Sequence, residues 1–299
     1  METLLFTGGT GYLGHNVKPI LDQIYQVTTI GITDRDDIKA DFVTDVPTLP
    51  QQYDVVLHAA GKAHTYPKTE AEKQAFFDVN YKGTIHLCDA LEKVGVPKSF
   101  IFISTMAVYG SDGSTIVTEK HPLNGETPYA VSKIKAEEYL IGWCKKHNVI
   151  LGILRPSLLA GPNPPGNLGA MIKGIQKGRY LSINHGKARK SFLMVYDIAY
   201  VIPSLVQVGG IYNICDDESV SYRQLEEIIC KQLGKKLPPT IPMWLAIIFA
   251  KVGDLLGKIA PINSVKLMKL TRTSVYSNTK IRSALNWQPL NIVENFKIS

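Results

Sequence analysis

The sequence predicts an α/β fold: a parallel sheet doubly wound with helices, joined by a smaller interleaved C-terminal portion. Three observations predict it. The stretch Leu4-Leu5-Phe6-Thr7-Gly8-Gly9-Thr10-Gly11-Tyr12-Leu13-Gly14 sets an apolar run against glycines and then a helical pattern. Apolar strands and amphipathic helices alternate from there to Pro156. Beyond Pro156 the alternation gives way to a proline- and glycine-rich loop and shorter elements.

Residues 4–6 read as a buried strand bounded by glycine. Leu13, Val17, Ile20, Leu21 and Ile24 follow at helical spacing, although Pro19 inside that stretch should kink or end the helix. Strand, glycine turn and helix together place free N–H groups and the positive end of a helix dipole where a pyrophosphate can bind. Gly8, Gly11 and Gly14 serve the turn, the close backbone approach and the helix–strand packing. Their spacing is GxxGxxG, not GxGxxG, so the motif speaks only with its flanking strand and helix.

Residues 25–30 read as the second strand, 39–43 as a short third and 54–57 as the fourth. The fourth empties into His58-Ala59-Ala60-Gly61, whose small residues let the backbone approach a ligand. Residues 70–94, which include Asn80, follow a helical pattern, and the apolar strand 100–103 empties into Ser104-Thr105-Met106-Ala107. Thr127 as N-cap and Pro128 at the first helical position start a helix that runs to about His147. Residues 150–154 form the next strand. Further on, 168–176 read as a helix, 191–197 and 211–214 as strands, and a helix capped by Ser221 reaches Leu233. Residues 243–259 are a last apolar segment. The nucleotide-binding portion is therefore placed at 1–155 and the substrate-binding portion at 156–299, with elements near 191–214 returning to the first.

The chain of 299 residues carries a formal net charge of +7. This suits an anionic substrate, a membrane surface or nucleic acid, and the lack of an arginine-rich arm makes nucleic acid the weakest partner. Cys88, Cys144, Cys215 and Cys230 form no CxxC pair, which reads as free thiols in a reducing compartment. Without a signal-peptide pattern or an apolar run of about 18 residues, the expected location is the cytoplasm. No metal is expected: His58, His64, His121 and His185 have no carboxylate or cysteine at ligand spacing and read as packing or surface residues, His58 excepted for its place beside the cofactor loop.

Tyr129 and Lys133 are four residues apart and share one helix face. A lysine ammonium one turn away stabilises a phenolate, and a hydroxyl at a strand end, Thr105 with Ser104 beside it, can share the substrate's proton. Such a set moves a proton on or off an alcohol while a nicotinamide exchanges hydride with the same carbon.

At this point the chain resembles the extended short-chain dehydrogenases/reductases, in their NAD-dependent epimerase/dehydratase branch, whose nucleotide-binding portion is a Rossmann sheet. The resemblance is carried by TGGTGYLG at 7–14, HAAG at 58–61, VNYKGT at 79–84, ISTMAVYG at 103–110, YAVSK at 129–133, RPSLLAGP at 155–162, NL at 167–168, SFLMVYDIA at 191–199 and ALNWQP at 284–289. It implies Tyr129 as acid/base, Lys133 as its partner and ribose ligand, Thr105 as the hydroxyl, and Asn80 as a structural residue behind the site. It also implies that the proline-rich loop with Asn167 and Leu168 meets a nucleotide-sugar diphosphate, with Arg189 or Lys190 neutralising the phosphates. The expected cofactor contacts are Gly8, Gly11, Tyr12, Leu13, Arg35, Asp41, Phe42, His58, Ala59, Ala60, Gly61, Asn80, Ser104, Lys133 and Pro156. Sugar 4,6-dehydratases of the branch carry an Asp-Glu pair after the threonine. Met106-Ala107 stand there instead, so the expected chemistry is redox at one sugar carbon, C4, in precursors of surface polysaccharide. A catalytically silent NAD(P) sensor and a reductase of steroid- or flavonoid-like alcohols are the competing functions.

Two matters stay open at this level. Gly31 occupies the place, about 20 residues past the glycine turn, where an acidic residue holds the ribose of NAD. Arg35 close by suits the 2′-phosphate of NADP, while Asp34 could reach the ribose. NAD with epimerisation and NADP with 4-keto reduction are left nearly even. Residues 241–262 are too short in their uncharged part to span a bilayer. They are expected to pack as a lid or as a homodimer contact. The less favoured reading is an interfacial helix serving a lipid-linked diphosphosugar.

Overall fold

The computed structural model describes residues 1–63, 67–110, 116–256 and 262–298. In order, the first half runs β1 (Thr3–Thr7), α1 (Tyr12–Leu21), β2 (Gln26–Gly31), β3 (Ile38–Lys39), β4 (Val55–His58), α2 (Glu70–Phe77), a π-helical turn (Asp78–Lys82), α3 (Gly83–Val94), β5 (Ser99–Ile103), a 3₁₀ turn (Met106–Tyr109), α4 (Pro128–His147) and β6 (Ile150–Pro156). There follow β7 (Leu158–Ala160), α5 (Gly166–Gln176), β8 (Ser182–Ile183), β9 (Arg189–Lys190), β10 (Phe192–Met194), α6 (Asp197–Val208) and β11 (Gly210–Ile214). The chain ends with β12 (Val220–Ser221), α7 (Tyr222–Leu233), β13 (Thr240–Ile241), α8 (Met243–Leu256), α9 (Ser264–Thr271), α10 (Thr279–Leu285) and α11 (Ile292–Asn295).

Seven of the described strands form one parallel sheet in the order β11-β6-β5-β4-β1-β2-β3. Both faces are covered, and the strands alternate between two cores. Leu4, Phe6, Val55, Leu57, Ile101 and Ile103 face a layer with Val17 and Leu21 of α1 and Ile198, Ile202 and Leu205 of α6. Leu5, Val56, Phe100 and Phe102 face the other way, against Leu87 and Leu91 of α3 and Leu140 and Trp143 of α4. The strand order reverses between β1 and β4, so the C-terminal ends of these two strands open a crevice at the switch point. Thr7, beside His58 in the register, marks its floor.

Local chemistry accounts for the boundaries. Thr127 accepts from the Ala130 amide at 3.2 Å and Pro128 opens α4, as the sequence predicts. Ser221 and Gln224 form a reciprocal capping box at the start of α7. Pro19 does not end α1 at once. The helix runs on to Leu21, because the acceptor that Pro19 leaves unpaired is the carbonyl of exposed His15.

Three expectations are corrected. The helix over 70–94 is interrupted by the π-helical turn at Asp78–Lys82. The third strand is two residues long: Asp41 accepts from the Val43 amide at 2.9 Å and turns the chain out of the ladder. The strand at 191–197 is shorter, Phe192–Met194, and it pairs with β7 outside the main sheet. By contrast, α6 packs on the main sheet and β11 pairs with β6 along its edge. The last residues return as well: the Asn278 amide donates to the Cys215 carbonyl at 2.9 Å, Ile292 N–H to Asp216 at 2.7 Å, and Leu290 N–H to buried Asp197 at 3.2 Å. The four cysteines are buried and free.

Candidate active site

The glycine turn builds a cradle. Gly8 holds φ +80°, and a Cβ there would lie 2.8 Å from the Ala60 amide nitrogen. A Cβ on Gly14 would lie 2.1 Å from the Gly9 carbonyl oxygen, so α1 starts tight against the turn. Gly11 is the N-cap of α1 and brings no side-chain cap, which leaves the first-turn amides for an anion. The Thr7 hydroxyl accepts from Ala60 N–H at 3.0 Å and pins the His58–Gly61 loop against the turn. A dinucleotide pyrophosphate fits this arrangement. Leu13 instead packs on the first core. The Tyr12 hydroxyl is buried without a partner beside Gly161, so that side chain turns toward the proline-rich loop.

His58, an expected cofactor contact, has both ring nitrogens bonded within the protein and acts as a strut. Its Nδ1 meets Thr7 Oγ1 at 2.6 Å and its Nε2 meets Thr84 Oγ1 at 2.9 Å. Burial pushes its pKa down to about 3, with the Lys133 charge acting in the same direction, so the ring is neutral. Asn80 is buried in the π-helical turn, a distortion that recurs at functional sites. Its Oδ1 accepts from Lys62 N–H at 2.7 Å, and its Nδ2 donates to the Lys62 carbonyl and to Ser132 Oγ. It therefore clamps the loop after Gly61 onto α4. Asp41 and Phe42 do not present their side chains to the cradle: Asp41 caps its own turn and Phe42 packs in the second core.

α4 carries the candidate catalytic pair, Tyr129 and Lys133. Tyr129 hydrogen-bonds to Thr105, whose hydroxyl also accepts from Ala107 N–H at 3.1 Å. Burial raises the phenol's pKa and the Thr105 contact lowers it. Phe76 flanks the phenol, ring centroids 6.2 Å apart. One turn on, Lys133 does not turn to Tyr129. Its Nζ donates to the Ile103 carbonyl at 2.9 Å and lies 4.4 Å from the centroid of the Phe102 ring, beside Gly61. Desolvation lowers its pKa to about 8, and Glu137 one further turn on holds it up. Glu137, Ser104, Arg155, Tyr109 and Asn213 continue as a buried chain. Ser104 Oγ and the Nε–Nη2 edge of the Arg155 guanidinium donate to the Glu137 carboxylate; Arg155 donates to the Tyr109 hydroxyl at 2.8 Å, and Tyr109 to Asn213 at 2.6 Å. Sequence reasoning missed this chain. The signal available was the repeat of Tyr129, Lys133 and Glu137 at four-residue spacing. Pro156 is buried at the end of β6, past Arg155.

At the end of β2, Gly31 leaves room that Asp36 fills. A Cβ on Gly31 would lie 2.7 Å from Asp36 Oδ2. That oxygen accepts from the Thr33 hydroxyl at 2.7 Å, while Oδ1 is buried with no partner. Asp34, one candidate for the ribose, is exposed and paired with Lys39 at 2.6 Å. Arg35 is exposed in the same turn. The carboxylate at the strand end thus exists, five positions later in sequence than the usual pattern.

On the other portion, Asn167 is exposed in the first turn of α5. The Leu168 side chain lies in the core, packed with Met171, Ile172 and Phe192. Arg189 is exposed and its guanidinium is tied to Ser219, at 2.9 Å to the hydroxyl. Lys190 is buried, donates to Ser274 Oγ at 3.1 Å, and has its pKa lowered to about 8 by desolvation and by Arg272 and Lys269. Arg272 and Lys269 escaped the sequence reading because they belong to the last third of the chain, which folds back onto β9 through Ser274. His64 lies outside the described residues.

Comparisons with known proteins bear on this geometry. The chain is 31% identical over 220 residues to an N-acetyl-alpha-D-glucosaminyl-diphospho-ditrans,octacis-undecaprenol 4-epimerase of Escherichia coli O157:H7, covering 70% of this chain and 66%, just under two thirds, of that one. It is 27% identical to a UDP-glucose 4-epimerase of Vibrio cholerae, covering 99% and 94% of the two chains. The structure of the RMD protein of Pseudomonas aeruginosa complexed with NADPH superposes with a TM-score of 0.75 at 21% identity, over 98% of this chain and 95% of that one. The model of the NAD dependent epimerase/dehydratase family matches residues 4–215. With most of the chain matched and the glycine cradle and the Tyr129–Lys133 helix inside the matched span, this protein belongs to the NAD dependent epimerase/dehydratase family.

Proposed function

We propose that this chain is a nicotinamide-dependent 4-epimerase of sugars carried on a diphosphate, acting on nucleotide sugars in the supply of surface polysaccharide precursors. The contact between Tyr129 and Thr105 carries this reading: a half-buried phenol and a hydroxyl that share a proton. A bound nicotinamide would supply the hydride exchange at C4. The chain's own residues handle the proton. Thr105, donating to the Tyr129 oxygen, favours the phenolate that receives the proton of the sugar hydroxyl, and the phenol gives it back. Lys133, beside Gly61 and Asn80, would hold the cofactor ribose, and the Gly8–Gly11 cradle its pyrophosphate. The unpartnered oxygen of Asp36 at the end of β2 supports a ribose hydroxyl there, hence NAD. Lys190, with Arg272 and Lys269 near it, would face the sugar's diphosphate. Met106 and Ala107 offer no carboxylate for elimination, so 4,6-dehydration lies outside this reading.

One observation favours a second reading. Exposed Arg35, in the turn after β2, suits a 2′-phosphate and so NADP with net reduction of a 4-keto sugar. The RMD structure with NADPH is a precedent on this fold. The dinucleotide that copurifies decides between the two. The experiment that tests the common mechanism is Tyr129→Phe: kcat is expected to fall by at least ~10²-fold while dinucleotide affinity is retained. Turnover at the wild-type rate in that variant overturns it.

A further inference from the structure

The α8–α9 corner carries a surface that the redox chemistry leaves unexplained. α8 is inverted relative to a helix built for water. Its small residues Ala246, Ala250 and Gly253 are buried, and the two alanines pack with Leu267, Ile183 and Ile241. Its large apolar residues face out. Trp244 is 64% exposed, Ile248 48% and Leu255 89%, and helical spacing sets these three opposite Ala246 and Ala250. Phe249 at 43%, Val252 at 47% and Leu256 at 58% widen the face, and Met268 of α9 at 50% extends it. Single apolar side chains on a surface are ordinary; a continuous face of this extent marks an interaction site. The helix has 14 residues, too few to cross a bilayer.

The charges select the occupant. Lys251 lies on the outward side of α8, and Lys266, Lys269 and Arg272 follow on and after α9. Asp254 is the only carboxylate within the two helices, and it caps the start of α9, accepting from Ser264 N–H at 3.0 Å. Aromatic and aliphatic side chains ringed by cations match the interface of an anionic bilayer. A second copy packed about a two-fold axis would bring these cations toward their own images, which is unfavourable. The face is also continuous with the basic cluster: past α9, the Thr273 hydroxyl accepts from Arg189 N–H at 3.2 Å and Ser274 N–H donates to the Arg189 carbonyl at 2.9 Å, beside Lys190. Tyr276 then packs on Tyr109, ring centroids 6.3 Å apart, in the turn that starts at Thr105.

We propose that the α8–α9 face rests on an anionic bilayer surface and holds the Lys190–Arg272 cluster over a diphosphosugar whose carrier is a lipid tail in that bilayer. The proposal rests on the C4 hydride exchange inferred above. It changes what the diphosphate is joined to, and the bonds made and broken remain those at C4 and its hydroxyl.

The test uses the full chain, vesicles of phosphatidylcholine with phosphatidylglycerol, and the variant Trp244→Ser/Ile248→Ser/Leu255→Ser, whose changes are all at exposed positions. The wild type is expected to float with the vesicles, and the variant to bind at least about tenfold more weakly while keeping its melting temperature and its turnover of a water-soluble UDP-sugar. With a polyprenyl diphosphosugar in the same vesicles, kcat/KM is expected to drop at least about tenfold in the variant. A wild-type protein left at the bottom of the gradient overturns the proposal. So does a stable wild-type dimer that the variant splits, since a second copy would then cover the face, and so does equal turnover of the vesicle-borne sugar by both proteins. Flotation is read without turnover. A wild type that floats but turns over neither sugar upholds the docking surface and removes the redox reading.

Discussion

Glu137→Gln is the perturbation whose consequences the structure fixes most closely. The carboxylate is 1% exposed and receives Ser104 Oγ and two nitrogens of Arg155, itself 4% exposed. Removing its charge leaves the Arg155 guanidinium buried without an anion and takes away the group that holds the Lys133 pKa up. Breaking one side of a buried ion pair costs about 3–5 kcal/mol, and glutamine keeps one acceptor oxygen, so the loss is expected near the lower end, about 3 kcal/mol. With a urea m-value of about 3 kcal/mol/M for a chain of this size, the unfolding midpoint drops by about 1 M. The second readout is the pH profile of kcat. Lys133 titrates at about 8 in the native enzyme. Without Glu137 its ammonium is lost at lower pH, so the alkaline limb moves toward acid. The double variant Glu137→Gln/Arg155→Met removes both charges and is expected to recover to within about 1 kcal/mol of wild type. A single variant that unfolds at the wild-type urea concentration with an unmoved alkaline limb refutes the reasoning.

Gly8→Ala forces a Cβ to 2.8 Å from the Ala60 nitrogen at φ +80°; it is expected to cost about 1–3 kcal/mol in thermal stability and at least tenfold in dinucleotide affinity by fluorescence titration, and an unchanged affinity would contradict the cradle. Asp197 has its pKa raised by burial from 3.8 to about 7. Its carboxyl stays protonated when folded but ionises when unfolded, so stability falls as pH rises from about 4 to about 7, by about 4 kcal/mol in all. Urea unfolding across that range should lose this slope in Asp197→Asn; an identical slope would locate the titration elsewhere.

Much of the sheet was legible because its strands are short apolar runs ended by small residues, and because helix starts such as Thr127-Pro128 are local signals. The hydroxyl, phenol and lysine of the candidate site are legible for the same reason: spacing on one helix and position at a strand end are properties of neighbouring residues. What the sequence hides is assembled across distance. The sequence does not show that Thr7 and Thr84 hold both ring nitrogens of His58. Gly31 looked like a missing carboxylate, yet the turn folds Asp36 back over it. Leu168 is followed by core positions Met171, Ile172 and Ile175 at helical spacing, which points it inward even though its neighbour Asn167 is exposed. The outward face of α8 was legible as an apolar run, but not its inversion, since only packing reveals which side of a helix the alanines occupy.

The fastenings at Leu290 and Ile292 set an order on biosynthesis. The strands through β11 leave the ribosome well before the amides of Leu290 and Ile292, which partner the carboxylates of Asp197 and Asp216. At about 5–20 residues per second the nascent sheet waits several seconds with two carboxylates lacking those donors and the edge of the first core uncovered where Ile281, Leu285 and Trp287 will sit. A stalled or prematurely terminated chain remains in that state. The interval in which the sheet is most exposed to chaperones and proteases therefore falls between translation of β11 and translation of Ile292.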